Sequence, residues 1–169
     1  TVQYYTGLSQ YRFGDIFVAE SCFDTFIKTF PLSPFNDQAN YYYIDCLYQQ
    51  TLRYELDQAP TYKALAFIEE YIKQHPNTEY KGEFDEIIVE LNERLDKKAL
   101  EAAKIYYHTE DFKASQYAFR AAIKEDPTNI YREELMYYLT LSSYKYAFNS
   151  VPEKQRERYM TFTDDYYSF

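Results

Sequence analysis

Residues 23–31 read FDTFIKTFP, residues 68–76 read IEEYIKQHP, and residues 119–127 read FRAAIKEDP. Each ends in Ile-Lys-x-x-Pro, at Ile27-Lys28, Ile72-Lys73 and Ile123-Lys124. An aromatic follows each proline by four residues: Phe35, Tyr80 and Tyr131. Pro31, Pro76 and Pro127 stand 45 and 51 residues apart, so the unit is a degenerate repeat with insertions. Apolar residues eight and four before each proline fall on one face of a helix. Proline then stops that helix, because it disfavours helical geometry in the residue before it. Ser33-Pro34 predicts an N-cap and a proline in the first helical position of the next element. The repeated unit is therefore a helical hairpin.

Working outward, helices are predicted at about 2–12, 15–30, 34–52, 60–74, 79–109, 111–125, 129–149 and 152–168. Ser150-Val151-Pro152-Glu153 has the spacing of a capping box for the last of them. In the fifth segment Phe84, Ile87, Ile88, Leu91, Leu95, Ala99, Ala102 and Tyr106 recur at helical spacing. As one helix it would be a rod of about 46 Å at 1.5 Å rise per residue; the alternative is two helices with a kink near Asn92. The expected organisation is an N-terminal repeat module over 1–77 and a C-terminal module over 78–169, joined through that long helix.

The pattern looks like the tetratricopeptide repeat, with a small residue where paired helices cross and a large apolar residue one turn on. Ala103, Tyr106, Ser115, Phe119, Ala122 and Pro127 fall at its spacing in the third unit. Gly7, Ala19, Phe23 and Pro31 match in the first, where Gln10 replaces the usual aromatic. Ala64, Ile68 and Pro76 match in the second, which needs an insertion around Arg53 to Ala59. The expected fold class is all-α, with tetratricopeptide-type hairpins stacked in a superhelical solenoid. Residues 1–14 and the closing Tyr166, Tyr167 and Phe169 leave both terminal units incomplete, so the chain is expected to be part of a longer one.

Composition narrows the function. The chain has 169 residues, 18 basic against 27 acidic, for a formal charge of −9. That balance argues against nucleic acid, whose phosphates need a basic face. No apolar run reaches the ~18 residues of a membrane span. The first residues lack a charged-then-apolar leader, so any targeting segment is expected to have been removed. Only 3 glycines and 6 prolines leave few turns, while 22 Tyr and 13 Phe fill space without any Trp.

Candidate chemistry is sparse. Ile72 and Ile105 stand three residues before His75 and His108, so a Glu-x-x-His di-iron bundle is excluded. No His-Glu-x-x-His, phosphate loop or nucleophile elbow occurs. Glu83, Asp85, Glu86, Glu90 and Glu93 read as a solvated helix face. Cys22 and Cys46 read as small hydrophobes, with one disulfide as the alternative. No catalytic residue, metal or cofactor is expected.

Helical repeats bind through a concave surface lined by the first helix of each pair. The repeat's groove positions fall on Tyr4, Leu8, Tyr11 and Arg12, then near Tyr42, Cys46 and Gln49, then on Lys97, Leu100, Lys104, Tyr107 and His108. Tyrosine with Arg and Lys suits an extended peptide or its terminal carboxylate. Alternatively the tyrosines pack the core.

A closer resemblance lies in Thr29-Phe30-Pro31, Ala39-Asn40-Tyr41-Tyr42-Tyr43, Arg53-Tyr54-Glu55-Leu56-Asp57-Gln58 and Thr61-Tyr62-Lys63-Ala64. It continues in Leu95-Asp96-Lys97-Lys98-Ala99, Lys104-Ile105-Tyr106-Tyr107, Tyr131-Arg132-Glu133-Glu134 and Arg156-Glu157-Arg158-Tyr159. These resemble the outer-membrane β-barrel assembly lipoprotein family, BamD. The resemblance implies a non-enzymatic scaffold on the periplasmic face of the outer membrane, tethered by lipid on an N-terminal cysteine. It implies C-terminal repeats that dock the barrel-forming subunit and an N-terminal groove for aromatic C-terminal signals of unfolded precursors. Neither Cys22 nor Cys46 lies near the start, so attachment rests on kinship. The alternative is another cell-envelope tetratricopeptide adaptor that binds peptides or cell-wall proteins.

Overall fold

The computed structural model describes residues 1–168, which leaves Phe169 outside the description. Eight helices and no strand occur among the described residues: α1 Val2–Phe13, α2 Ile16–Thr29, α3 Asn36–Gln49, α4 Ala59–Gln74, α5 Lys81–His108, α6 Phe112–Glu125, α7 Arg132–Phe148 and α8 Pro152–Ser168. The all-α expectation holds, and successive helices pack as antiparallel hairpins, α1 on α2, α3 on α4, α6 on α7 and α7 on α8. Two compact units form, Thr1–Asn92 and Glu93–Phe169. The division falls inside α5, which runs uninterrupted for 28 residues, whereas the sequence reading put the break ahead of that helix.

Six of the repeat positions read from sequence are sealed from water, whereas Tyr106, also placed in the repeat, is 45% exposed. Ala19 and Phe23 on α2, Ala64 and Ile68 on α4, and Ser115 and Phe119 on α6 are all 0% exposed. A small residue lets the partner helix approach, and the large residue one turn on fills the space beside it. Gly7 supplies the smallest contact, since a Cβ there would stand 3.0 Å from the Phe23 ring. Each buried Phe or Ile contributes about 1.5–3 kcal/mol. Phe119 gathers Leu100, Ala103, Leu135 and Leu139 in the second unit, and Ile68 packs with Ile44, Tyr71 and Phe84 in the first.

The three proline turns share one design. Helices α2, α4 and α6 end two residues before proline, and the intervening Phe30, His75 and Asp126 leave helical geometry with φ of −130°, −126° and −130°. Two residues after each proline stands a short polar side chain, Ser33, Thr78 or Asn129. Each accepts from the backbone N–H of the aromatic that follows it: Phe35 to Ser33 Oγ at 3.2 Å, Tyr80 to Thr78 Oγ1 at 3.4 Å, and Tyr131 to Asn129 Oδ1 at 2.8 Å. This corrects the reading of Ser33 as an N-cap with Pro34 inside the helix. The helix starts at Asn36, and Ser33 closes the turn before it.

The capping box predicted for α8 is also not formed. Ser150 donates its hydroxyl to the Tyr146 carbonyl and accepts from Arg158. Gln155 instead holds the turn, its amide donating to the Phe148 and Ser150 carbonyls at 3.2 and 3.1 Å. In the α1–α2 and α5–α6 turns, which the sequence reading did not cap, the chemistry is simpler: Asp15 accepts from the Val18 N–H, and Asp111 accepts from the Ala114 N–H. Gly14 before Asp15 has φ 85°, but its counterpart before Asp111 is Glu110 with φ 61°. The insertion at 53–58 is organised by buried Gln58, which donates to the Arg53 and Leu56 carbonyls and accepts from Thr61 at 2.8 Å.

Two stability tests follow. Asn129 is buried, so Asn129→Ala should cost about 1–2 kcal/mol in chemical denaturation, and more than Ser33→Ala. Glu110→Gly should stabilise by about 1 kcal/mol, because glycine accepts the left-handed backbone without a Cβ penalty. A destabilised Glu110→Gly protein would contradict this account of the turn.

Candidate functional site

In the first unit the first helices of successive hairpins are joined by tyrosine hydroxyls. Tyr4 on α1 donates to Gln38 Oε1 on α3 at 3.0 Å, and Tyr11 donates to the Asp45 carboxylate two turns further along α3. Gln49 donates both to Tyr11 Oη at 3.2 Å and to Asp45 Oδ2 at 2.5 Å. Tyr48 on α3 donates to Glu90 Oε2 on α5 at 2.5 Å. Tyr42 completes the layer, stacked on Phe23 at 5.5 Å and tilted against Tyr11 at 5.1 Å.

The face this leaves differs from the simple groove of the sequence reading. Tyr4 is 4% exposed and stacked on Phe35 at 4.9 Å, so it belongs to the core and presents no surface to a ligand. Leu8, Tyr11 and Tyr42 are half-buried, and Arg12 is exposed beside them on α1. Among the described residues no carboxylate forms an ion pair with Arg12. Tyr11 and Tyr42 are thus brought together, with Asp45 and Gln49 as the polar residues that hold them. Cys46 lies at 0% exposure under this layer, and Cys22 is half-buried; both thiols are free.

In the second unit Lys104 on α5 sits between two carboxylates. It pairs with Glu101 at 3.4 Å and with Glu134 on α7, and its ammonium lies 5.0 Å from the centre of the Tyr138 ring. Burial works against its charge, but the hydrogen bond to Glu134 and the field of both acids outweigh that and raise its pKa. Lys104 is therefore spent within the fold. Tyr107 is half-buried, with its ring edge-on to Phe112 and Tyr138 at 5.8 and 5.1 Å. His108 is exposed at the C-terminal end of α5, and Lys97 is exposed about three turns earlier in that helix. Asp45 and Tyr138 were not singled out by the sequence reading, and Glu134 entered it only within the segment Tyr131-Arg132-Glu133-Glu134, with no partner assigned. An acid or aromatic is visible in sequence, but its partner on the next hairpin is not.

Burial sets the ionisation of this layer. Desolvation pushes the Tyr43 phenol up to about 12, with Asp24 and Glu20 adding, and pushes the Cys46 thiol up to about 12, with Asp45 adding. Desolvation likewise raises Tyr11, reinforced by its bond to Asp45. A thiol so strongly protonated is a poor nucleophile and metal ligand. Among the described residues no group of His, Cys, Asp and Glu could hold a metal ion, and no helix is long and apolar enough to cross a membrane. What the two faces offer is aromatic surface with a few exposed cations, the chemistry of polypeptide contact.

Sequence comparison bears on which polypeptides. A family model named YfiO, described as an outer membrane lipoprotein, matches residues 1–158. The chain belongs to that family. A curated relative, the outer membrane protein assembly factor BamD of Caulobacter vibrioides, is 28% identical over 134 residues. That match covers 79% of this chain and 44% of the relative, so the chain spans less than half of the relative's length. The resemblance read from the tyrosine and Arg-Tyr-x-Leu-Asp-Gln segments is thereby borne out.

The buried phenol and thiol predict alkaline sensitivity. Their folded pKa values exceed the reference values of 10.0 and 9.0. Their contribution to stability is therefore complete below about pH 9 and is lost as pH rises through about 12. Thermal unfolding should show a melting temperature that falls above about pH 9, with a shallower fall in Tyr43→Phe. An identical slope in that variant would remove Tyr43 from the explanation.

Proposed function

We propose that this chain is a non-enzymatic scaffold of outer-membrane protein assembly, acting on the periplasmic face of the outer membrane in a lipid-anchored protein. The observation that carries this reading is the family match over residues 1–158. The name of the Caulobacter relative, an assembly factor, points the same way. The unit Thr1–Asn92 receives unfolded outer-membrane precursors on the α1 and α3 face, and residues 79–169 dock the barrel-forming subunit. Recruitment and positioning then replace turnover as the mechanism.

The geometry supports this division of work through Tyr11, Tyr42 and Arg12. An aromatic residue at the end of a precursor can pack on the paired tyrosines, while its terminal carboxylate meets the unpaired Arg12 guanidinium. Asp45 and Gln49 keep Tyr11 in place, so the surface is organised before the peptide arrives. Leu8, half-buried on the same helix, extends the apolar strip.

Binding of peptides with a C-terminal aromatic residue tests the first unit. Arg12→Ala should weaken the free-acid peptide about tenfold, equal to about 1.4 kcal/mol, and leave the amidated peptide unchanged. Arg12 is exposed, so the fold should persist. Equal affinity of the two proteins for the free acid would reject this face. For the second unit, a pulldown from native envelopes through residues 79–169 should recover the barrel-forming subunit, and its absence would reject the docking assignment.

A further inference from the structure

The second unit carries a cleft of about 350 Å³ between α6 and α8, a place within residues 79–169 to which the scaffold reading assigns no particular contact. Helix α6 lines it with Lys113, Gln116, Tyr117 and Arg120. Helix α8 lines it with Lys154, Glu157, Arg158 and Thr161. Both sets follow the spacing i, i+3, i+4, i+7, so two matching stripes face each other over two helical turns, about 10 Å. Four cations against one lining carboxylate form a basic cleft in a chain of net charge −9.

The cations are unequally occupied. Arg120 pairs with Asp165 at 2.6 Å, so its charge is compensated within the fold. Arg158 has its guanidinium over the Tyr146 ring at 4.0 Å and donates to Ser150, contacts that fix its plane without cancelling its charge. Lys113 and Lys154 are exposed, and no carboxylate among the described residues forms an ion pair with either. Both lie in the first turn of their helices, where the backbone dipole also favours an anion. Three uncompensated cations converging on so small a space suit a phosphate, whose oxygens accept several donors at once, better than isolated carboxylates. Around them Tyr117 is exposed in the cleft, and the turn entering α8 exposes Phe148 and Val151. Cations flanked by exposed apolar side chains are the pattern of contact with a lipid headgroup layer.

We infer that the α6–α8 cleft binds the phosphate of an anionic phospholipid headgroup through Lys113, Lys154 and Arg158. The choice of lipid as the phosphate source rests on the proposed outer-membrane location; the preference for phosphate rests on the cleft alone.

Co-sedimentation of the full chain with vesicles tests it, using phosphatidylcholine alone and phosphatidylcholine mixed with phosphatidylglycerol. Binding is expected only to the mixed vesicles. The triple variant Lys113→Gln, Lys154→Gln, Arg158→Gln should bind them about tenfold more weakly. A charge-matched control, Lys73→Gln, Lys81→Gln, Lys124→Gln, should bind as the unaltered chain does. Because Arg158 also packs on Tyr146, the double variant Lys113→Gln, Lys154→Gln must weaken binding in the same direction. Equal losses in cleft and control variants, or no binding to mixed vesicles, would overturn the inference. Inorganic phosphate bound at the cleft without vesicle binding would overturn the lipid source. Capture of a polyglutamate peptide without vesicle binding would make the cleft a carboxylate-docking site instead. None of these outcomes depends on the peptide face of the first unit, so either assignment can fail alone.

Discussion

Close approach of two helices at a small side chain is the constraint on which the rest of this structure depends. Ala19, Ala64 and Ser115 each permit a neighbouring helix to come near enough for Phe23, Ile68 or Phe119 to be sealed from water. The approach has to be held at the hairpin's open end as well. There the proline stops one helix, and the Ser33, Thr78 or Asn129 side chain pins the aromatic that begins the next. Packing and turn are thus two halves of one unit, repeated three times with different residues but the same bonding.

Much of this could be read without coordinates, because it is local. Proline, the apolar residues four and eight before it and the aromatic four after it all lie within one short segment, and their spacing maps directly onto helix geometry. The turn acceptors were misassigned for an instructive reason. Ser33 and Ser150 both have the side chain of an N-cap, yet each found a closer backbone or side-chain partner just outside the helix. A hydroxyl is satisfied by whichever group the turn brings near, and composition does not say which.

The candidate faces were less legible. Tyr4 and Tyr11 occupy equivalent-looking positions two turns apart on α1, yet one ring is enclosed by Phe35 and the other lies half open beside Tyr42. Lys104 and Arg12 were both read as groove cations. The difference between them is Glu134 on α7, thirty residues downstream of Lys104, which claims one ammonium while no comparable acid among the described residues pairs with the guanidinium. Periodicity places a residue on a face; only the neighbouring hairpin decides whether that residue has charge or surface to spare.

The tyrosine bonds to Asp45 and Glu90 carry one more implication. With 22 tyrosines and no tryptophan, the intrinsic emission of this chain comes from phenols alone. A carboxylate that accepts the phenol's proton in the excited state quenches that emission, so Tyr11 and Tyr48 should emit weakly while their bonds persist. A partner that pries α1 from α3 would brighten Tyr11, one that pries α3 from α5 would brighten Tyr48, and the molecule thereby contains an unlabelled optical gauge of its own helix contacts.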